Sequence, residues 1–292
     1  MSSPYIRRRR LAFELRALRE SRGLTADELA ARIHQSRVKI SKLENAHNRP
    51  DLTDVLNILR ALGVPDTEWR RYLELAADAA KKGWWDKYGD AMGSLQRIYA
   101  DIEAGAERLR EFQPGVLPGL LQTPEYTWAL VDIGKAQGPL SYDPARAIQA
   151  RADRQRSGFR DGGPHYEVIL DEVGLRRFSV PTEVMRTQLI HMIHIAEEHP
   201  QLSIRVFPLI TGSVGEPLPR SQFVLYTFPD PADPPMVAVG TDGGHFFYTE
   251  PEQLGRYTHM YEYMRGLTLS EVSSLTMLNE LADEISQRGH SA

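Results

Sequence analysis

Apolar positions in the first quarter of the chain recur at helical spacing. Leu11, Leu15 and Leu18 form one stripe, and Gly23 ends it as a C′ glycine would. Thr25-Ala26-Asp27-Glu28 predicts a capping box, in which the Thr25 hydroxyl and the Glu28 carboxylate each satisfy an orphan amide. The short helix it opens turns Leu29, Ala30 and Ile33 inward. His34-Gln35 makes a tight turn, and Ser36 caps a third helix from Arg37 to about Asn45 whose Ile40 and Leu43 face the core. Asn48-Arg49-Pro50 breaks the chain. Asp51 caps a fourth helix carrying Val55, Leu56, Ile58, Leu59 and Leu62, closed by Gly63, and Asp66 starts a fifth that runs to about Lys82.

Trp84-Trp85 among Gly83, Gly89 and Gly93 marks a boundary, so two domains are expected, over 1–82 and 83–292. Leu95, Ile98, Ile102, Leu109 and Phe112 keep helical spacing and predict one long helix. Two Pro/Gly turns follow, then a helix opened by Thr123-Pro124-Glu125 with proline at N1, and another over 144–157. Beyond these the period changes to two. Tyr166–Asp171, Ser203–Phe207, Gln222–Phe228 and Pro235–Val239 read as strands, as does His245–Thr249 after a Gly243-Gly244 turn. A helix over Thr182–Glu198 separates the first two, and helices near 251–265 and 270–287 follow the last. The expected fold class is mainly α with an α+β second domain: a five-helix head, then helices around a small, mostly antiparallel sheet.

Composition narrows the function classes. The 292 residues contain no cysteine, which excludes disulfides, thiolate metal sites and a cysteine nucleophile and fits a cytoplasmic protein. No apolar run approaches 18 residues, so no membrane-spanning helix is expected. The net charge of −4 hides a split. Residues 1–50 hold 12 Lys and Arg against 5 Asp and Glu, leaving 23 against 34 for the remainder. A basic head on an acidic body points to a polyanionic partner for the head. Arg7-Arg8-Arg9-Arg10 does not open an export signal, because Glu14, Arg16, Arg19 and Glu20 interrupt the run that follows. It reads as a phosphate-contacting or disordered arm.

Two short helices joined by a tight turn, the second with polar outer residues near its start, have the geometry of a DNA reader. Such a helix fits the major groove, where Arg or Lys pairs with guanine O6 and N7. The candidate DNA-contacting set is Thr25, Gln35, Ser36, Arg37, Val38, Lys39, Ser41 and Lys42. Gly23-Leu24-Thr25, Glu28-Leu29-Ala30, Ser36, Ile40-Ser41-Lys42-Leu43-Glu44 and Arg49-Pro50 together resemble the lambda-repressor-like, XRE-type helix-turn-helix family over about residues 8–64. The resemblance implies that Arg37, Val38 and Lys42 face bases with Ser41 nearby, and that Arg19 and Glu44 form a partly buried structural ion pair. His34 stands where that family's turn carries glycine, and Val38 would read a thymine methyl group. One such module spans few base pairs, so a homodimer on an inverted-repeat operator in double-stranded DNA is expected.

The body holds a second resemblance. Pro118-Gly119-Leu120-Leu121-Gln122-Thr123-Pro124-Glu125-Tyr126 is similar to the C-terminal domain of the actinobacterial WhiJ-like regulators. So are Asp171-Glu172-Val173-Gly174-Leu175-Arg176, Gln188-Leu189 and Ile204-Arg205-Val206-Phe207-Pro208, although Val173 replaces a usual alanine. That resemblance implies a small neighbouring protein partner and the alternative of an antitoxin-like module that sequesters it and autoregulates. Aromatic clusters at 84–128 and at Phe246, Phe247, Tyr248, Tyr257, Tyr261 and Tyr263 are ordinary core or the lining of a small-molecule pocket. No catalysis, cofactor or metal is expected. His191, His194 and His199 lack a zincin spacing, and Gly240–Gly244 lacks the lysine of a phosphate loop and reads as a hairpin turn.

Overall fold

Ser3 and Pro4 start the first helix, α1 (Pro4–Ser21): the Ser3 hydroxyl accepts from the Ile6 amide at 3.2 Å, and proline occupies the first turn. The computed structural model describes residues 2–140, 142–210, 218–241 and 244–289. Arg7–Arg10 therefore lie within α1, which corrects the reading of a disordered arm. The cause is local. A capped, proline-initiated first turn nucleates the helix, and carboxylates hold three of the arginines, with Arg8 3.7 Å from Asp101. Arg7 meets Asp230 at 3.0 Å and Asp233 at 3.1 Å, while Arg10 meets Asp230 at 3.0 Å, Asp233 at 3.2 Å and Glu14 at 3.0 Å.

The chain forms two compact units that do not follow a single cut after residue 82. One comprises Met1–Lys87, Arg97–Gly105 and Pro229–Pro234; the other comprises Tyr88–Gln96, Ala106–Phe228 and Pro235–Ala292. In the first, α1 is followed by α2 (Ala26–Arg32), α3 (Arg37–Glu44), α4 (Leu52–Ala61) and α5 (Asp66–Ala80). Leu11, Leu15, Leu29, Ile40, Val55 and Leu59 pack into one core with Tyr72 and Leu75. Each fully buried aliphatic there contributes roughly 1.5–3 kcal/mol. Gly23 and Gly63 end their helices at φ 65°, a conformation that suits glycine. The added segment 97–105 anchors the start of α1. Asp101 accepts from the Ser3 hydroxyl at 2.8 Å and from the Tyr5 amide at 2.9 Å, and burial pushes its carboxyl up. A Cβ on Gly105 would overlap the Ser3 backbone.

A 3-10 segment over Trp84–Met92, kinked at Gly89, leads to α6 (Ser94–Gly105) and then to β1 (Arg108–Gln113). The long helix expected through Phe112 therefore ends at Gly105, and Leu109 and Phe112 belong to a strand. β1 is the centre of a six-stranded mixed sheet of order β3-β2-β1-β4-β5-β6. The remaining elements are α7 (Pro124–Gln137), α8 (Pro144–Gly158), β2 (His165–Asp171), α9 (Glu172–Arg176), α10 (Thr182–Glu198), β3 (Leu202–Phe207), β4 (Gln222–Thr227), β5 (Met236–Thr241), β6 (Gly244–Tyr248), α11 (Pro251–Leu267) and α12 (Glu271–Gly289). Helical crossovers make β1, β2 and β3 parallel, whereas β1–β4, β4–β5 and β5–β6 pair antiparallel. The turn expected around Gly243 falls partly outside the described residues, since Asp242 and Gly243 are not among them.

One sheet face packs Phe112, Ile169, Phe223, Leu225, Val237 and Val239 against Tyr261 and Met264 of α11. The Pro118–Tyr126 segment is held by a polar network. Fully buried Gln188 accepts from the Thr123 amide at 2.7 Å and donates to the Leu121 carbonyl at 2.6 Å. Gln122 donates to the Leu117 carbonyl at 2.6 Å, and Gln155 donates to the Gln122 carbonyl at 2.7 Å. Gly174 lies so near the 114–115 turn that a Cβ would stand 2.7 Å from the Gly115 carbonyl oxygen.

Candidate nucleic-acid interface

The α2–turn–α3 unit is fixed before its outer residues are considered. Thr25 accepts from the Glu28 amide at 3.2 Å, and Glu28 accepts from the Thr25 amide at 2.7 Å and from its hydroxyl at 2.8 Å. The Thr25 amide is the chief cause holding the Glu28 carboxyl below its ordinary range. Thr25 thus spends its polar atoms on the cap. The turn closes with the Gln35 amide donating to the Ala30 carbonyl at 2.9 Å, which requires His34 at φ 53°. Ser36 then caps α3, accepting from the Lys39 amide at 3.2 Å.

α3 is locked from behind. Arg19 Nε donates to Glu44 Oε1 at 2.7 Å and its Nη2 donates to Glu44 Oε2 at 2.8 Å, a bidentate pair with side-chain exposures of 10% and 7%. The hydrogen bond to Glu44 is the chief reason the Arg19 guanidinium is raised further above its ordinary value. Arg19 Nη1 also donates to the Leu24 carbonyl at 2.7 Å. With Ile40 buried on the inner side, the rotation of α3 about its axis is set.

That rotation leaves Arg37, Val38, Ser41 and Lys42 together on the exposed face, at spacings of one, four and five residues. The Arg37 side chain is 70% exposed, and its contact with exposed Asp27 is loose at 3.5 Å, a kind of pair worth little in water. Val38 is 60% exposed. Lys42 makes no ion pair among the described residues. Asn45 donates to the Ser41 carbonyl at 2.7 Å and finishes the helix.

Lys39 and Gln35 lie elsewhere. Lys39 Nζ bonds Asp54 at 2.7 Å, on the side toward α4. Both residues line a recess of about 270 Å³ between α3 and α4, together with Asn48, Asp51 and Asp54. Arg49 donates to Asp86 at 2.6 and 2.8 Å, a tether to a residue 37 positions along the chain.

Other candidate chemistry is dispersed. His199 stacks on Phe159 with ring centroids 4.9 Å apart, and burial together with His194 lowers the His191 imidazole. Among the described residues no group of three or more His, Asp or Glu is placed to hold a metal ion, and no helix is long and apolar enough to cross a membrane. Tyr257 and Tyr261 pack on Phe223 as core.

The helix-turn-helix domain family matches residues 10–71, the segment that holds α2, α3 and their supporting helices. The domain of unknown function DUF5753 matches residues 96–280, most of the sheet-bearing region. No curated protein matches the chain. With more than half of its length inside that second match, and with a helix-turn-helix domain ahead of it, the chain belongs to the DUF5753 family.

Proposed function

We propose that this protein is a cytoplasmic, sequence-specific transcriptional regulator of the XRE type, with no catalytic activity of its own. It acts as a homodimer on an inverted-repeat operator. The observation that carries the reading is the cluster of Arg37, Val38, Ser41 and Lys42 on one exposed face of a helix whose rotation the buried Arg19–Glu44 pair fixes. With α3 in the major groove, Arg37 and Lys42 donate to guanine O6 and N7, Val38 packs on a thymine methyl group, and Ser41 bonds a base edge or phosphate. Gln35 and Ser36 at the helix start approach the backbone, where an amide-rich helix N-terminus favours phosphate. Lys39, engaged by Asp54, contributes to base reading only if that pair opens.

Selection of genomic fragments by the full-length protein tests this, with Arg37→Ala/Lys42→Ala alongside. An inverted-repeat motif recovered by the wild type and not by the double variant is the expected result. Equal recovery by both proteins refutes the assignment of α3. Binding without any motif favours the antitoxin-like reading, in which sequestering a small neighbouring protein is the main role.

A further inference from the structure

On the sheet face that α11 covers, the three parallel strands change character at one level. Phe112 and Ile169 are paired neighbours in the apolar core, whereas two residues earlier Arg110, Glu167 and Ser203 stand side by side, and two earlier again Arg108 stands beside His165. Residues two apart on a strand share a face, so this polar row continues the same surface beyond the core. A cleft of about 430 Å³ opens over it, walled by Glu262 and Arg265 of α11. That volume is in the range of small-molecule sites.

The carboxylates of the cleft are already engaged. Glu167 accepts from Arg265 Nε at 2.8 and 3.0 Å and from the Tyr261 hydroxyl at 3.0 Å. Glu262 accepts from Arg110 at 2.5 Å, and Glu271 accepts from Arg205 at 3.3 Å. Arg108 and His165 are different. They are exposed neighbours on adjacent strands, with no side-chain hydrogen bond or ion pair among the described residues. Ser203 lines the same cleft, and its hydroxyl is buried with no hydrogen-bond partner among the described residues. What remains unsatisfied is a set of donors, and its complement is an oxyanion.

We propose that this cleft binds a small polar molecule through a carboxylate or phosphate group, gripped by Arg108 with His165 and Ser203 as further donors. The site is independent of the DNA-reading helix and gives the sheet-bearing unit a ligand of its own. The test is titration of the full-length, nitrogen-15-labelled protein with sodium phosphate and, separately, sodium acetate, at fixed pH and with ionic strength held by sodium chloride. The His165 ring and Arg108 Nε resonances are the readouts. Saturable shifts with at least one oxyanion are expected, and the better binder of the two identifies the group. Arg108→Gln should weaken binding about tenfold or more, the loss of a charged hydrogen-bonding partner. Ser203→Ala, which alters no charge, should weaken it by a smaller factor. No saturation beyond the chloride control, an unchanged dissociation constant in Arg108→Gln, or shifts confined to α3 would each overturn the proposal.

Discussion

His34 holds φ 53° in the turn between α2 and α3, a left-handed conformation in which a Cβ costs on the order of 1–2 kcal/mol. The turn keeps it because the Gln35 amide must reach the Ala30 carbonyl. His34→Gly should therefore raise stability by about 0.5–1 kcal/mol, after allowance for the glycine's larger unfolded-state entropy, read as a higher urea midpoint with DNA affinity unchanged. Glu44→Ala works in the opposite direction. It leaves the largely buried Arg19 guanidinium without its bidentate partner and should cost about 3 kcal/mol. Thermal unfolding of that variant is the check. Both positions were visible in the sequence, His34 as the residue where the related turn has glycine and Arg19 with Glu44 as an implied pair. Lys39 was not separable from its neighbours by sequence, because the side it faces depends on Asp54, fifteen positions away on another helix.

Among the elements, β1 shows where periodicity fails. Leu95, Ile98, Ile102, Leu109 and Phe112 stay in helical register across Gly105, so the apolar spacing alone continues the helix into a strand. Short apolar runs fit both templates, and β1 pairs only with residues far along the chain, β2 and β4. Missing it also hid the mixed topology, since β1 is where parallel and antiparallel halves join. Most of the helices and all five of the other strands are legible because capping residues and alternation mark them locally, while the five-residue α9 is too short to show a period. The Pro118–Tyr126 segment, singled out by resemblance, is explained by packing: Gln188→Ala would orphan the Thr123 amide and the Leu121 carbonyl and should cost about 2–4 kcal/mol by denaturant unfolding. Glu167 predicts a pH effect. Burial opposes its ionisation, but Arg265, Tyr261 and Arg205 outweigh that and hold the carboxyl below its ordinary value. Its contribution is present above the unfolded value of about 4.3 and is lost as pH falls through the lower folded value. Glu167→Gln should therefore shrink the difference in urea midpoint between pH 7 and acid.

For the whole molecule, the charge split is informative in direction and misleading in amount. The head's excess of basic residues includes Arg7 and Arg10, which Asp230 and Asp233 neutralise within the same unit, and Arg49, which Asp86 holds. Those acidic partners lie outside residues 1–50, so counting charge along the first fifty residues could not register them. Arg7→Ala/Arg10→Ala should lower stability while leaving the salt dependence of DNA binding nearly unchanged, because the logarithmic slope follows only the cations that neutralise phosphates, at about 0.9 for each. A slope shallower by about 1.8 in the double variant would return both arginines to the DNA backbone.

In the proposed function α3 reads bases. The most direct measurement is the ratio of affinities for the selected operator and for a scrambled duplex, taken at two salt concentrations for the wild type and for Arg37→Ala/Lys42→Ala. A wild-type ratio of about a thousandfold or more is predicted. It should collapse by roughly 10²-fold in the double variant, with removal of each base-reading side chain costing about 1–3 kcal/mol, while scrambled-DNA binding weakens far less. A ratio that survives both substitutions would place recognition on another surface than α3.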